Sequence, residues 1–319
     1  MSQVTDIYQK DGLYSIILLS YYSEEHIIDV YKTIVQRMEK EDISFEFIIV
    51  DDGSKDNSYN VALELESKDD RVQAYQLSRN FTSHYAKFAG FSVSKGDCVT
   101  SIPDDFQLPL DVVVEMYRLW QSGNKLVVPF RKFRDDGFIK SAFSRFYYFI
   151  MGKLSEANYP PGGADAFLAD REIVETLNRI EPRNTSSIIE VLKLGFNPYF
   201  LPFSRPKSKM VKSRWTMSKK IKLAKDIFFS FSSFPIKMIT RVGLASFMFS
   251  IILIFLSIYV KLKGYQSLGG LTIPGWTSTV IIISFFSGLI LFSLGIISEY
   301  IWRIFDEVKG RPSFIIKKK

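Results

Sequence analysis

Up to about residue 130 the chain alternates apolar, strand-like runs with stretches of helical spacing, and that rhythm leaves few folds open. Ser15–Leu19 (SIILL) is apolar after its first residue, as a strand buried on both faces of a parallel sheet requires. Helical spacing follows from Glu24 to Glu39, then the strand Phe45–Val50, a helix Asn57–Glu66 and the strand Val72–Leu77. A helix Ser83–Val93, the strand Cys98–Ile102, a helix near Leu110–Gln121 and the strand Leu126–Phe130 complete the series. Repeated strand–helix–strand order predicts an α/β fold, a doubly wound and mostly parallel sheet. In such a sheet, ligands bind outside the carboxyl ends of the strands. Two pairs of neighbouring carboxylates stand there, Asp51-Asp52 after the second strand and Asp104-Asp105 after the fourth. Brought to one edge, they can hold a divalent cation and the polar parts of a nucleotide. That points to a nucleotide-dependent transferase.

Charge divides the chain in two. Residues 1–204 carry 22 Lys/Arg against 30 Asp/Glu, and residues 205–319 carry 19 against 4, giving −8 and +15 and the total of +7. The basic part is also the apolar part, so an anionic membrane surface fits it as a partner and nucleic acid does not. Between Lys132 and Pro202 the rhythm loosens, with Pro160-Pro161-Gly162-Gly163 breaking the chain before Asp165. Arg205–Arg241 holds eleven Lys/Arg and one acid, and Ile221–Lys237 sets aromatics beside lysines, as an interfacial amphipathic helix does. Val242–Val260 and Thr277–Ser298 are uncharged runs of 19 and 22 residues. Each reaches the roughly 20 residues that cross a bilayer core. Basic flanks on both sides place both termini inside, with the short connecting loop outside. The expected domains are therefore 1–204, a cytosolic catalytic domain; 205–241, a basic juxtamembrane segment; 242–302, a two-helix transmembrane hairpin; and 303–319, a basic cytosolic tail. No secretory signal is visible at the polar N-terminus, and the single cysteine, Cys98, excludes an intramolecular disulfide framework.

Tyr22-Ser23-Glu24-Glu25 after the first strand, Val50-Asp51-Asp52-Gly53-Ser54 after the second and Ser78-Arg79-Asn80-Phe81 after the third resemble family 2 glycosyltransferases of the GT-A fold. Within that family the likeness is to the polyprenyl-phosphate glycosyltransferases, the dolichol-phosphate mannose synthase group. Bacterial members with a C-terminal membrane hairpin match best. The likeness extends over nearly the whole chain, including Ser213-Arg214-Trp215, Phe231-Ser232 with Pro235, and the basic tail.

The resemblance implies roles for particular residues. Asp51 would accept hydrogen bonds from the nucleotide base or ribose, with Tyr22 and Glu24 lining the same pocket. Asp52 would join them or serve as a turn and helix cap. The family's Asp-x-Asp-x-Gln is matched by Pro103-Asp104-Asp105-Phe106-Gln107, with proline in place of the first aspartate. Asp105 and Gln107 are then the expected ligands of Mg²⁺ or Mn²⁺, and Asp104 falls to the nucleotide sugar. Arg131, Lys140 and Ser144, joined by Ser213 and Arg214 from a closing loop, fall where the family binds an acceptor phosphate. Lys140 stands where arginine is usual and would give a point charge instead of a fork. Asp165 is the candidate carboxylate at the reacting centre, with Glu190 second and helix capping as the alternative for Asp165. His84, on a helix, reads as a packing or surface residue.

The function implied is inverting, metal-dependent transfer of a sugar from a nucleotide sugar, in the first place a UDP-sugar, to polyprenyl (undecaprenyl or dolichyl) phosphate. It would take place at the cytosolic face of a bacterial inner membrane. A processive polysaccharide synthase of the same fold and a non-catalytic membrane-anchored scaffold are the alternatives. The sugar, UDP against GDP, and the oligomeric state, homo-oligomer included, stay open.

Overall fold

Helices on both faces leave two neighbouring strands of the sheet almost no solvent. Every residue of β2 (Phe45–Asp51) is buried, as is all of β1 (Tyr14–Ser20) but Leu19. The computed structural model describes residues 11–105, 107–131, 160, 163–180, 186–204, 238–245, 248, 249, 252, 255 and 275–317. They fall into two units, one of Met1–Ser230 with Pro312–Lys319, the other of Phe231–Arg311.

The first unit holds a sheet of seven strands in the order β3-β2-β1-β4-β6-β5-β7. The remaining strands are β3 (Val72–Gln76), β4 (Cys98–Pro103), β5 (Leu126–Arg131), β6 (Leu168–Asp170) and β7 (Tyr199–Phe203). Pairings β1–β2, β2–β3, β1–β4 and β5–β7 are parallel, while β6 runs antiparallel to both β4 and β5. The chain steps outward from β1 to β3, then returns to β4 on the other side of β1. That reversal opens a crevice at the carboxyl ends of β1 and β4, where ligands bind in folds of this kind. Register brings the site together, since Ser20 pairs with Asp51, Asp51 with Gln76, and Leu19 with Pro103 just before Asp104.

Helix α1 (Ile27–Lys40) buries Ile27, Val30, Ile34 and Met38, a single stripe at helical spacing. It begins later than the periodicity predicts because residues 24–26 form a turn, in which Ser23 O accepts the His26 and Ile27 amides at 2.8 and 3.1 Å. Helices α2 (Ser58–Glu66), α3 (Ser83–Val93) and α4 (Leu110–Gln121) follow the expected spans closely. From α4, Tyr117 stacks on Tyr14 at 5.1 Å, and the Trp120 indole donates to Asp170 at 2.8 Å. At the amino ends of the strands Glu46 is buried and fully occupied. It accepts from Ser15 Oγ, the Lys95 and Gly96 amides and Gln73 Nε2 at 2.6, 2.6, 3.1 and 2.9 Å. Those bonds serve the fold, and the two acidic pairs singled out in the sequence stand at the other edge.

Beyond residue 160 the structure adds β6, α5 (Arg171–Ile180), α6 (Ser187–Lys193) and β7, none of which the loosened rhythm reveals. In the second unit residues 238–245 are helical, and α7 spans Gly275–Val308. Within α7, Phe285–Val308 is long and apolar enough to cross a membrane, and its residues are exposed or half-buried. The predicted span Thr277–Ser298 sits inside α7, but the helix continues into the stretch assigned to the tail, with Arg303 paired to Glu299 at 3.0 Å. Of the other predicted span, residues 242–245, 248, 249, 252 and 255 are helical and exposed, and the remainder lies outside the described residues. Among the described residues one helix, not two, has the length and composition of a membrane span. The amphipathic helix expected over Ile221–Lys237 also lies outside them. The basic end of the chain is not a free tail. Ile316 bridges antiparallel to Leu77, with Ser78 N donating to Ile315 O at 2.9 Å and Lys317 N to Gln76 O at 2.8 Å.

Candidate active site

The turn after β2 builds one side of the candidate site. Gly53 has φ +69, and a Cβ there would meet the Arg79 carbonyl carbon at 2.5 Å, so both backbone conformation and space demand glycine. The turn aims Ser54 back at Asp51. Its amide donates to Oδ2 at 3.0 Å and its hydroxyl to Oδ1, while Gln76 Nε2 donates to Oδ2 at 2.9 Å. A carboxylate has about four acceptor positions. Asp51, only 1% exposed, is thus held rigidly with room for one more donor.

Asp52 has a different role. It accepts from the amides of Phe81 and Thr82 at 2.7 and 2.9 Å, and its own amide donates to Ser20 O at 2.9 Å. Counted with the nucleotide ligands from sequence, Asp52 is committed to the backbone ahead of α3, close to the capping alternative but serving a different helix. The loop after β1 is stitched to the same place. The Tyr22 amide donates to Ser54 Oγ at 2.9 Å, the Ser23 amide to Ser58 Oγ at 2.9 Å, and the Asn57 amide to Glu24 at 3.2 Å. Tyr22 adopts φ 51 and is 44% exposed. The Ser23 hydroxyl donates to Asp104 Oδ2, joining this loop to the end of β4. Asp104 is buried and Asp105 half-buried, and the Gln107 amide donates to Asp105 Oδ1 at 3.2 Å.

On the other side of the switch point, β5 ends at Arg131, whose amide donates to Gly163 O at 3.4 Å and whose guanidinium pairs with Asp165. The Arg131 side chain is 10% exposed and that of Asp165 73%, so the cation is sunk in the domain and the carboxylate faces solvent. Lys87, buried on α3, donates from Nζ to the Asp165 carbonyl at 2.8 Å. Burial brings the Lys87 ammonium down to about 8, against the opposing pull of the Asp165 charge. Glu190 lies in the first turn of α6, half-buried. The start of that helix is held by His84, whose Nδ1 accepts the Ser187 amide at 3.0 Å, leaving the ring proton on Nε2. Burial, aided by Lys87, holds His84 down at about 3, so it is a neutral packing residue against Phe88 and Tyr85.

The structure therefore brings Tyr22, Glu24, Asp51, Asp52 and Asp104 into one bonded cluster, and Arg131 and Asp165 into another. Lys140, Ser144, Ser213 and Arg214 lie outside the described residues. Gln76 and Lys87 escaped notice in the sequence, while Ser23 and Ser54 stood in the motifs without being assigned to the site. Gln76 carried a signal, because it continues the buried alternation Val72, Ala74 to a polar residue at a strand's carboxyl end.

A model of glycosyl transferase family 2 matches residues 15–177, and the chain belongs to that family. The uncharacterized glycosyltransferase YkcC of Bacillus subtilis is 30% identical over 306 residues, 96% of this chain and 93% of its own length. The SfII prophage-derived bactoprenol glucosyl transferase of Shigella flexneri is 30% identical over 308 residues, 95% and 97% of the two chains. Among solved structures, glucosyl-3-phosphoglycerate synthase from Mycobacterium tuberculosis, in complex with Mn²⁺, UDP and phosphoglyceric acid, aligns over 68% of this chain and 76% of its own. Its TM-score is 0.48 and its identity 17%, a likeness too remote to bear on the site.

Proposed function

We propose that this glycosyltransferase moves a sugar from a nucleotide sugar, in the first place a UDP-sugar, onto a polyprenyl phosphate at the inner face of a membrane. The observation that carries this reading is the pairing of a sunken Arg131 with a solvent-facing Asp165, across the switch point from the Asp51–Asp104 cluster. A phosphate acceptor is already ionised and needs placement and charge neutralisation more than deprotonation. Arg131 offers a fork that fits a phosphate as well as a carboxylate. A phosphate taking the place of Asp165 on Arg131 would release that carboxylate to the reacting centre. An acceptor oxygen then bonds to the anomeric carbon as the carbon–oxygen bond to the nucleoside diphosphate breaks, with inversion. Lys140, Ser144, Ser213 and Arg214 would complete the phosphate site, and Glu190 is the second carboxylate.

On the donor side Asp51 takes the base or ribose, with Tyr22, Glu24 and Asp104 around it and Asp52 holding the loop behind. Among the described residues no group of three or more His, Cys, Asp or Glu is arranged to hold a metal ion. One carboxylate, Asp105, with Gln107 beyond it, suits a Mg²⁺ or Mn²⁺ ion that keeps most of its shell as phosphate and water. Such an ion would neutralise the departing diphosphate. Helix α7, the other expected span, 242–260, and the basic segment 205–241 would keep the site at headgroup level, with both termini inside. The kinship with a bactoprenol glucosyl transferase over nearly the full chain supports the lipid acceptor.

The test is incubation of the purified full-length chain with undecaprenyl phosphate, Mn²⁺ or Mg²⁺ and a panel of UDP- and GDP-sugars, read by mass spectrometry of the lipid. One donor is expected to yield a sugar-bearing polyprenyl phosphate, with kcat lowered at least about 100-fold by Asp165→Asn. No lipid-linked sugar with any donor overturns the reading.

A further inference from the structure

We propose that the C-terminal tail is a positioning element of the donor site, holding Asp51 in place through Gln76. The tail groups with the first unit. It reaches the carboxyl end of β3, the outermost strand on its side of the sheet, where backbone groups would otherwise lack a neighbouring strand. Two backbone bonds, Ser78 N to Ile315 O at 2.9 Å and Lys317 N to Gln76 O at 2.8 Å, set the register there. That register carries the Lys317 ammonium to Gln76 Oε1 at 2.8 Å, while Gln76 Nε2 donates to Asp51 Oδ2 at 2.9 Å.

A glutamine amide has two distinct ends, an acceptor oxygen and a donor nitrogen. With an ammonium on one side and a carboxylate on the other, only one orientation satisfies both. The reversed amide would set its NH₂ against Lys317 and its oxygen against Asp51. Lys317 thus selects the rotamer in which Gln76 donates to Asp51, and the carboxylate keeps a third donor beside the two from Ser54. Gln76 is buried, so this orientation is little exposed to competition from water. Lys317 touches no ligand itself and acts through Gln76.

The inference rests on the reading of Asp51 as a nucleotide ligand, and the experiment separates the two. UDP binding to the full-length chain is measured by calorimetry, with donor and acceptor KM, for Lys317→Met, Lys317→Arg, Gln76→Leu, the Met/Leu double variant and Asp51→Ala. Loss of one oriented hydrogen bond predicts about fivefold weaker UDP binding and a matching rise in donor KM for Lys317→Met. Acceptor KM and kcat stay within about twofold, and Lys317→Arg restores most of the loss. Adding Lys317→Met to Gln76→Leu costs nothing further, because both act through one relay. Weaker binding in Asp51→Ala with wild-type binding in Lys317→Met, or fully additive losses in the double variant, overturns the role of the tail alone. Unchanged UDP binding in Asp51→Ala overturns the reading of Asp51 and the tail's role with it.

Discussion

Thr82 carries a β-branched side chain at φ 85, a conformation in which glycine alone is at ease. The two bonds from Phe81 and Thr82 to Asp52 hold it there. Thr82→Gly should therefore raise stability by about 1 kcal/mol in chemical denaturation. Asp52→Ala, which strips an acceptor from two loop amides, should cost about 2–4 kcal/mol. Lys87 gives a pH signature. Its folded value of about 8 lies below the ordinary lysine value of 10.5, so the unfolded chain binds more protons between the two. Stability should rise by up to about 3 kcal/mol as pH climbs through that window, and the rise should vanish in Lys87→Met. At this scale the acidic pairs were legible because each follows an apolar run and so falls at the carboxyl edge of the sheet. The division of labour between Asp51 and Asp52 was not. It is set by partners some 25 to 30 positions away, Gln76, Phe81 and Thr82, which no local pattern announces.

Among the elements, the hairpin-free turn into β3 shows how one carboxylate fastens strand to helix. Asp69 accepts from Arg71 N and Nε at 2.9 Å each and from the Tyr31 hydroxyl at 2.7 Å, tying α1 to the start of β3. The Arg71 guanidinium holds its carboxyl down at about 2, below the ordinary value of 3.8. That contribution is present above the unfolded value and is lost as pH falls through the folded one. Asp69→Asn should cost about 2 kcal/mol at pH 7, and the difference from wild type should close between about pH 4 and pH 2. The nine elements from β1 to β5 were legible because each strand is an apolar run and each helix shows a stripe. β6 was not, being three residues long and inserted antiparallel between two strands that precede it in the chain. Nor was the end of α7, since a charged terminal stretch reads as the end of an apolar run while Arg303 and Glu299 pair along the helix and continue it.

For the whole molecule, an acidic first part is followed by a basic, apolar second part, in which α7 has the length and composition of a membrane span. Exposed Phe285, Ile290, Leu291, Phe292 and Leu294 need a cover that water does not give. Leu291→Lys should lower the fraction of full-length chain that floats with liposomes, at a cost of about 3 kcal/mol for a lysine at mid-bilayer. The central claim is that the acceptor is a lipid phosphate brought to Arg131. Its most direct measurement sets the full-length chain in proteoliposomes with the active donor and equal concentrations of undecaprenyl phosphate and a short, water-soluble prenyl phosphate. Sugar should appear on the long-chain phosphate at least about tenfold faster, with both rates falling together in Arg131→Ala. Equal rates on the two acceptors, or an undiminished rate in Arg131→Ala, would contradict it.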